Sequence, residues 1–347
     1  MKRLLRLAAQ LLPALLALGL LAFVLRGADL SRALDLVHSL GWKLPLLLLP
    51  NLFCMLSETA AWWVLFGRVA ARPRALGLFA VRLAGEALLM GLPSGSMVNE
   101  SMQPYLLKRR CGVPLETGIV ATIGRKFFGV LAHGVFLALA TLLTWPELDR
   151  ASHATIGRGG LPWLLLAGAS TLTALALAGA LATAHGRMAD RLHRRLDRWG
   201  GRWLGSWLER NAVRFAHADA DLASFFTRDQ PGLVPPLLLY LLAWLFRALE
   251  TLVFLRLLGV HVSLPESMVI ESSLILLRAL AVPVPGGLGV QDVGYVLSFR
   301  ALSLPDATTV GAAFVLMKRG KDLFWVALGF LVLALGGRAS RGEAVRA

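Results

Sequence analysis

Six stretches of this chain are long and apolar enough to cross a lipid bilayer, which takes about 20 residues of helix. They are residues 4–25, 44–66, 115–144, 161–184, 232–258 and 306–336. Hydrocarbon offers no partners to backbone N–H and C=O groups, so each run must satisfy its own backbone as a helix. The rest of the composition agrees. At 56% hydrophobic residues and a mean hydropathy of +0.65, a 347-residue chain has too little polar surface to be soluble. The expected fold class is an all-α polytopic membrane protein, a single transmembrane domain over residues 1–347. The N-terminus places Lys2, Arg3 and Arg6 before Leu7–Leu25. That apolar part exceeds the roughly 7–15 residues of a signal peptide and reads as a retained first span.

Two further apolar stretches, 75–92 and 267–284, are shorter, and each runs into helix breakers. Pro93 and Gly95 interrupt the first; Pro283, Pro285, Gly286, Gly287 and Gly289 interrupt the second. Proline cannot donate to a helix ladder and glycine restrains nothing, so a helix stops there and another begins. A second short piece follows each, 97–110 and 290–302. Both regions read as re-entrant helical hairpins, with two more full spans as the alternative. Interrupted helices of this kind hold cargo in many transporters.

Positive charge orients the chain. The formal net charge is +15. No nucleic-acid-binding module accompanies it, so the basic residues point to cytoplasmic loops and anionic headgroups. Arg68, Arg72, Arg74, Lys108, Arg109, Arg110, an arginine-dense segment at 185–230 and Arg338, Arg341 and Arg346 all fall on one side if both hairpins are re-entrant. Both termini are then cytoplasmic. Within 185–230, Met188, Leu192, Leu196, Trp199, Trp203 and Trp207 form a stripe at helical spacing. It reads as an amphipathic helix on the cytoplasmic leaflet, or as a helix packed on the protein.

The chain also repeats itself. Adding 192 carries Glu58-Thr59 onto Glu250-Thr251, Leu65 onto Leu257, Gly67 onto Gly259 and Pro73 onto Pro265. It carries Ala87-Leu88 onto Ala279-Leu280, Pro93 onto Pro285, Gly95 onto Gly287 and Val98 onto Val290. Positions 58–100 thus hold ten identities in 43 without a gap. Asn99-Glu100 meets the chemically similar Gln291-Asp292. Counting spans reverses the second copy, so residues 44–144 and 232–336 form an expected inverted-topology repeat. Its breakers would face each other near the midplane.

Ionisable residues interrupt the apolar runs: Glu58, Arg82, Glu86, Arg125, Lys126, Arg247, Glu250, Glu271, Arg278, Lys318, Arg319 and Asp322. Each charge at mid-bilayer costs about 2.5–3.5 kcal/mol on insertion scales and needs a partner or water. Spacing pairs Arg82 with Glu86, Arg247 with Glu250, and Lys318 and Arg319 with Asp322. The repeat sets Glu86 opposite Arg278. Either these pairs pin helices together, or they line a wet cavity whose surplus cations receive an anionic group. In the second case Glu86, Glu100 and Asp292 are candidates for proton coupling, with Asn99 and Gln291 beside them. Other chemistry lacks support. Cys54 and Cys111 have no metal-ligand spacing, His133 reads as a packed histidine, Gly286 to Gly289 is no phosphate loop, and Ser94, Ser96 and Ser101 have no histidine nearby.

Pro285-Gly-Gly-Leu-Gly-Val-Gln-Asp292, the earlier Pro93-Ser-Gly-Ser-Met-Val-Asn-Glu100 and the following Tyr105-Leu-Leu-Lys-Arg resemble the lysylphosphatidylglycerol synthase transmembrane (flippase-like) family over roughly residues 5–335. Some members are stand-alone and linked to hopanoid synthesis. The resemblance implies a bacterial inner-membrane protein that moves a lipid between leaflets. It also implies that Pro93, Gly95, Glu100, Pro285 to Gly289 and Asp292 belong to a paired re-entrant site. Two features depart from the family's pattern: aspartate stands at 292 where glutamate is usual, and serines replace glycine at the first breaker. No aminoacyl-transfer domain follows within the 347 residues, so synthesis of lysyl-lipid is not expected. The expected function is therefore a lipid translocase rather than an enzyme, without metal or cofactor. Its expected partners are an anionic, polyprenyl or hopanoid lipid and a lipid-biosynthesis enzyme. A membrane-embedded lipid-modifying enzyme and a non-transporting scaffold are the alternatives.

Overall fold

The computed structural model of the chain describes residues 19, 22, 26, 28–67, 72–92, 94–184, 230–280 and 289–344, side chains at 155, 156, 184, 230, 231, 275–280 and 336–344 excepted. Most of the expected span 4–25, the amphipathic segment through residue 229, and Pro93, Pro283, Pro285, Gly286 and Gly287 lie outside the described residues. Among those described, every regular element is a helix. Eleven are α-helical: α1 Leu30–Ser39, α2 Leu48–Phe66, α3 Ala75–Gly91, α4 Gly95–Cys111, α5 Leu115–Leu143, α6 Trp145–Ile156, α7 Leu161–Ala184, α8 Val234–Leu257, α9 Leu264–Leu280, α10 Val290–Ala301 and α11 Ala307–Ala344. A 3-10 stretch, Gly41–Leu47, leads into α2. Four helical stretches are long and apolar enough to cross a membrane: Gly41–Phe66, Leu115–Leu143, Leu161–Thr183 and Val234–Leu257. These coincide with four of the expected spans. The fifth, 306–336, is also one helix, α11, but it carries Lys318, Arg319, Lys321 and Asp322.

Residues 26–43 and 145–160, which lie between expected spans, contain helices of their own. Asp29 caps α1 by accepting the Arg32 N–H at 3.0 Å. In α6 a proline stands in the first turn, Glu147 complements the positive helix end, and Gly157 closes it in the left-handed region. Trp145 and Trp163 meet edge to face across the turn into α7.

Helices α3 and α4 form an antiparallel hairpin. Gly77, near the start of α3, faces Cys111 at the end of α4, and Gly85 faces Asn99 and Gln103. At the turn, a Cβ on Gly95 would lie 2.2 Å from the Leu89 carbonyl, so only glycine fits. At its other end α4 closes on Gly112 (φ 68°), whose N–H reaches the Lys108 carbonyl at 3.1 Å. Helix α10 starts at Gly289 (φ 76°), where Asp292 Oδ2 accepts the Gly289 N–H at 2.9 Å.

The helices pack in crossed order. The most extensive contact joins α2 to α8, α3 lies along α11, and α9 lies along α5. Helix α5 begins at Leu115 and α11 at Ala307, 192 positions apart. Close approach sets the α3–α11 seam: a Cβ on Gly329 would sit 2.3 Å from the Leu83 carbonyl and 2.8 Å from Ala87 Cβ. Gly329→Val is therefore expected to lower unfolding free energy in detergent by about 3 kcal/mol. Gly179→Ala, where a Cβ meets nothing within 4 Å, is expected to leave it unchanged or slightly raised. Equal stability of the two variants would contradict this seam.

Candidate functional site

Glu58 on α2 and Glu250 on α8 are the centres of two ion clusters at the seam. Glu58 Oε2 accepts Arg82 Nε from α3 at 2.7 Å, and its Oε1 accepts Arg247 Nη2 from α8 at 2.8 Å. Arg82 also donates Nη1 to Glu86 Oε2 at 2.7 Å, one turn along α3. Both the sequence distance and the helix change between Glu58 and Arg247, so this pair ties the two halves of the chain together.

Glu250 Oε1 receives two lysines of α11, Lys318 at 2.7 Å and Lys321 at 2.9 Å. Lys318 also donates to Glu271 Oε1 of α9 at 2.6 Å. Glu271 is further bonded by the Tyr295 hydroxyl at 2.8 Å and by Thr251 Oγ1. The Lys318 ammonium stands over the rings of Phe254, Tyr295 and Phe314 at 5.4–5.6 Å, within cation–π range. On its other side Arg319 holds Asp292 Oδ1 at 2.5 Å and Asp322 Oδ2 at 3.1 Å, and Lys321 reaches Asp322 Oδ1 at 3.1 Å.

Between the clusters lies a small polar cavity of about 40 Å³, faced by Asn51, Glu86, Arg247, Glu250, Gln291 and Lys321. Five cations (Arg82, Arg247, Lys318, Arg319, Lys321) bond here to six carboxylates (Glu58, Glu86, Glu250, Glu271, Asp292, Asp322). Around this space the expected surplus of cations is therefore absent: each of these five cations already has a carboxylate. Buried charges survive in this form because every one is paired and hydrogen-bonded.

Of the sequence-expected residues, Glu58, Arg82, Glu86, Glu250, Asp292, Lys318, Arg319 and Asp322 come together, and Gln291 lines the same space. Arg82 and Glu86 pair as their spacing expects. The expected Arg247–Glu250 and Lys318–Asp322 pairs do not form, because both cations turn to other helices. Asn99 is buried on α4 and accepts from Gln103 Nε2 at 3.0 Å. Glu100 pairs with Lys126, and Arg125 faces the Trp62 ring, both away from the cavity. Gly95 and Gly289 stand at helix starts; the side chain of Arg278 lies outside the described ones. His133 is packed, stacked on Trp244 at 4.2 Å and bonded to the Ser272 carbonyl.

Sequence reasoning marked Arg247 and Glu271 as charges within apolar runs without singling them out as site residues, and passed over Lys321 and Tyr295. Lys321 had a usable signal, since it follows Lys318 by one turn and lies on the same helix face. Thr251 had its match to Thr59 in the repeat, and Tyr295 had only its place three residues past Asp292.

The model of the family described as Lysylphosphatidylglycerol synthase TM region matches residues 10–336 of the chain. No curated protein matches it.

Proposed function

This chain belongs to the lysylphosphatidylglycerol synthase TM family, a membrane family linked to lipid handling, and from that premise we propose that it moves a lipid between leaflets. The headgroup crosses through the polar space between the clusters while the tails stay in the bilayer. The cargo class is an anionic, polyprenyl or hopanoid lipid, and the site of action is the bacterial inner membrane, with both termini cytoplasmic.

One observation carries this reading: a fully ion-paired polar space lies where interrupted helices of the two halves meet. Its groups share partners: Lys318 bonds two carboxylates and Glu58 two arginines. Such a set can pass a polar group without ever exposing a lone charge to hydrocarbon. The re-entrant reading of the hairpins has its own support. Lys126, bonded to Glu100, stands near the middle of the 29-residue α5, and the turn at Gly95 lies about 7 Å further along α4. Asp292, at the start of α10, reaches Arg319 in the body of α11 rather than at its end. On this reading the first hairpin, whose ends meet at Gly77 and Cys111, opens toward one side and the second toward the other, as an inverted repeat with alternating access requires.

Purified protein reconstituted into liposomes with headgroup-labelled lipid tests the proposal. The label is expected to become accessible on the far leaflet, chemically unchanged, at least tenfold faster than in protein-free liposomes. A modified lipid would favour the enzyme alternative, and neither outcome would leave the scaffold.

A further inference from the structure

A second recess lies apart from the ion-paired cavity, between α4, α5 and α7. Its long walls are apolar, with Ile119 and Ile123 on α5 and Leu172 and Leu175 on α7, and its volume is about 710 Å³. Three charges interrupt that lining: Glu100, Arg125 and Lys126. Glu100 and Lys126 satisfy each other in an exposed pair. Arg125 differs. Among the described residues no carboxylate pairs with it, its Nε is buried without a hydrogen-bond partner, and its guanidinium carbon lies 4.9 Å from the Trp62 ring centre. A guanidinium does not give up its proton, so the charge is permanent.

An apolar trough with a cation on its wall that no carboxylate bonds directly is the complement of an amphiphile with an anionic head. Phosphate suits the planar fork of arginine better than a point anion does, because it can take two N–H donors at once. We propose that this groove seats an acyl chain of a phosphate-bearing lipid whose phosphate binds Arg125. The proposal rests on the carrier reading above, in which the groove is where such a lipid waits beside the cavity. Trp62 links the two places, since it touches Arg125 and sits one turn from Glu58 on α2.

The test is binding rather than transport. The full-length protein in detergent is titrated with dioleoyl phosphatidic acid, with dioleoylglycerol (the same chains without phosphate) and with inorganic phosphate, and bound ligand is counted by native mass spectrometry. Phosphatidic acid is expected to bind about tenfold more tightly than dioleoylglycerol, and free phosphate is expected neither to bind nor to compete at equal concentration. Arg125→Gln should erase the tenfold preference, and Arg125→Lys should keep part of it. Gly179→Phe fills the groove from a helix position where a side chain meets nothing within 4 Å, so it should weaken phosphatidic acid binding without altering unfolding. Three results would each overturn the proposal: equal binding of the two lipids, wild-type binding by Gly179→Phe, or displacement by inorganic phosphate. Lost binding with intact transport would sink the groove and spare the carrier; intact binding without transport would do the reverse.

Discussion

Lys318→Met is expected to be the most damaging single change in the molecule, lowering unfolding free energy in detergent by about 3–5 kcal/mol. The lysine is 7% exposed and holds Glu250 and Glu271 at once, from helices α8 and α9. Methionine fills the same space but leaves Glu271 buried with hydroxyl donors alone and Glu250 with Lys321 alone. The asymmetry is physical. Removing one member of a buried pair strands the other's charge, whereas removing both often costs little. The double variant Lys318→Met, Glu271→Gln should therefore recover part of the loss. Thermal unfolding of wild type and both variants in one detergent decides it, and a single variant as stable as wild type would show that these charges are hydrated and indifferent.

The second large effect separates pinning from transport. Glu58→Gln keeps the shape of the side chain but leaves Arg247 without an ion pair, while Arg82 retains Glu86. It should lower stability by about 2–4 kcal/mol and lipid translocation by at least tenfold. Adding Arg247→Met removes the stranded cation, and stability should return toward wild type. If the cluster serves the cargo, translocation stays low in the stable double variant. If the pair only pins α2 to α8, translocation returns with stability, and Glu58 leaves the transport site.

Much of this architecture was legible because its causes are local or periodic. Length and apolarity give α2, α5, α7 and α8, and the ten-in-43 identity at a fixed offset is echoed by helices α5 and α11 starting 192 positions apart. Ionisable residues within apolar runs announced a polar interior, since lipid tolerates few of them. Their partners were not legible. Spacing along one helix suggested Arg247 with Glu250, but within a low-dielectric seam the choice falls to whichever helix crosses nearest. Arg247 thus turns to α2 and Glu250 to α11. The short helices α1 and α6 were overlooked although their caps are written in sequence, at Asp29 and at Pro146 with Gly157.

The crossed packing of α3 on α11 and α9 on α5 has a consequence for how such a chain could arise. Each half borrows the outer wall of its hairpin from its counterpart. If the halves arose by duplication, a half-length ancestor alone in a bilayer would have shown that bare flank to lipid until a second copy covered it.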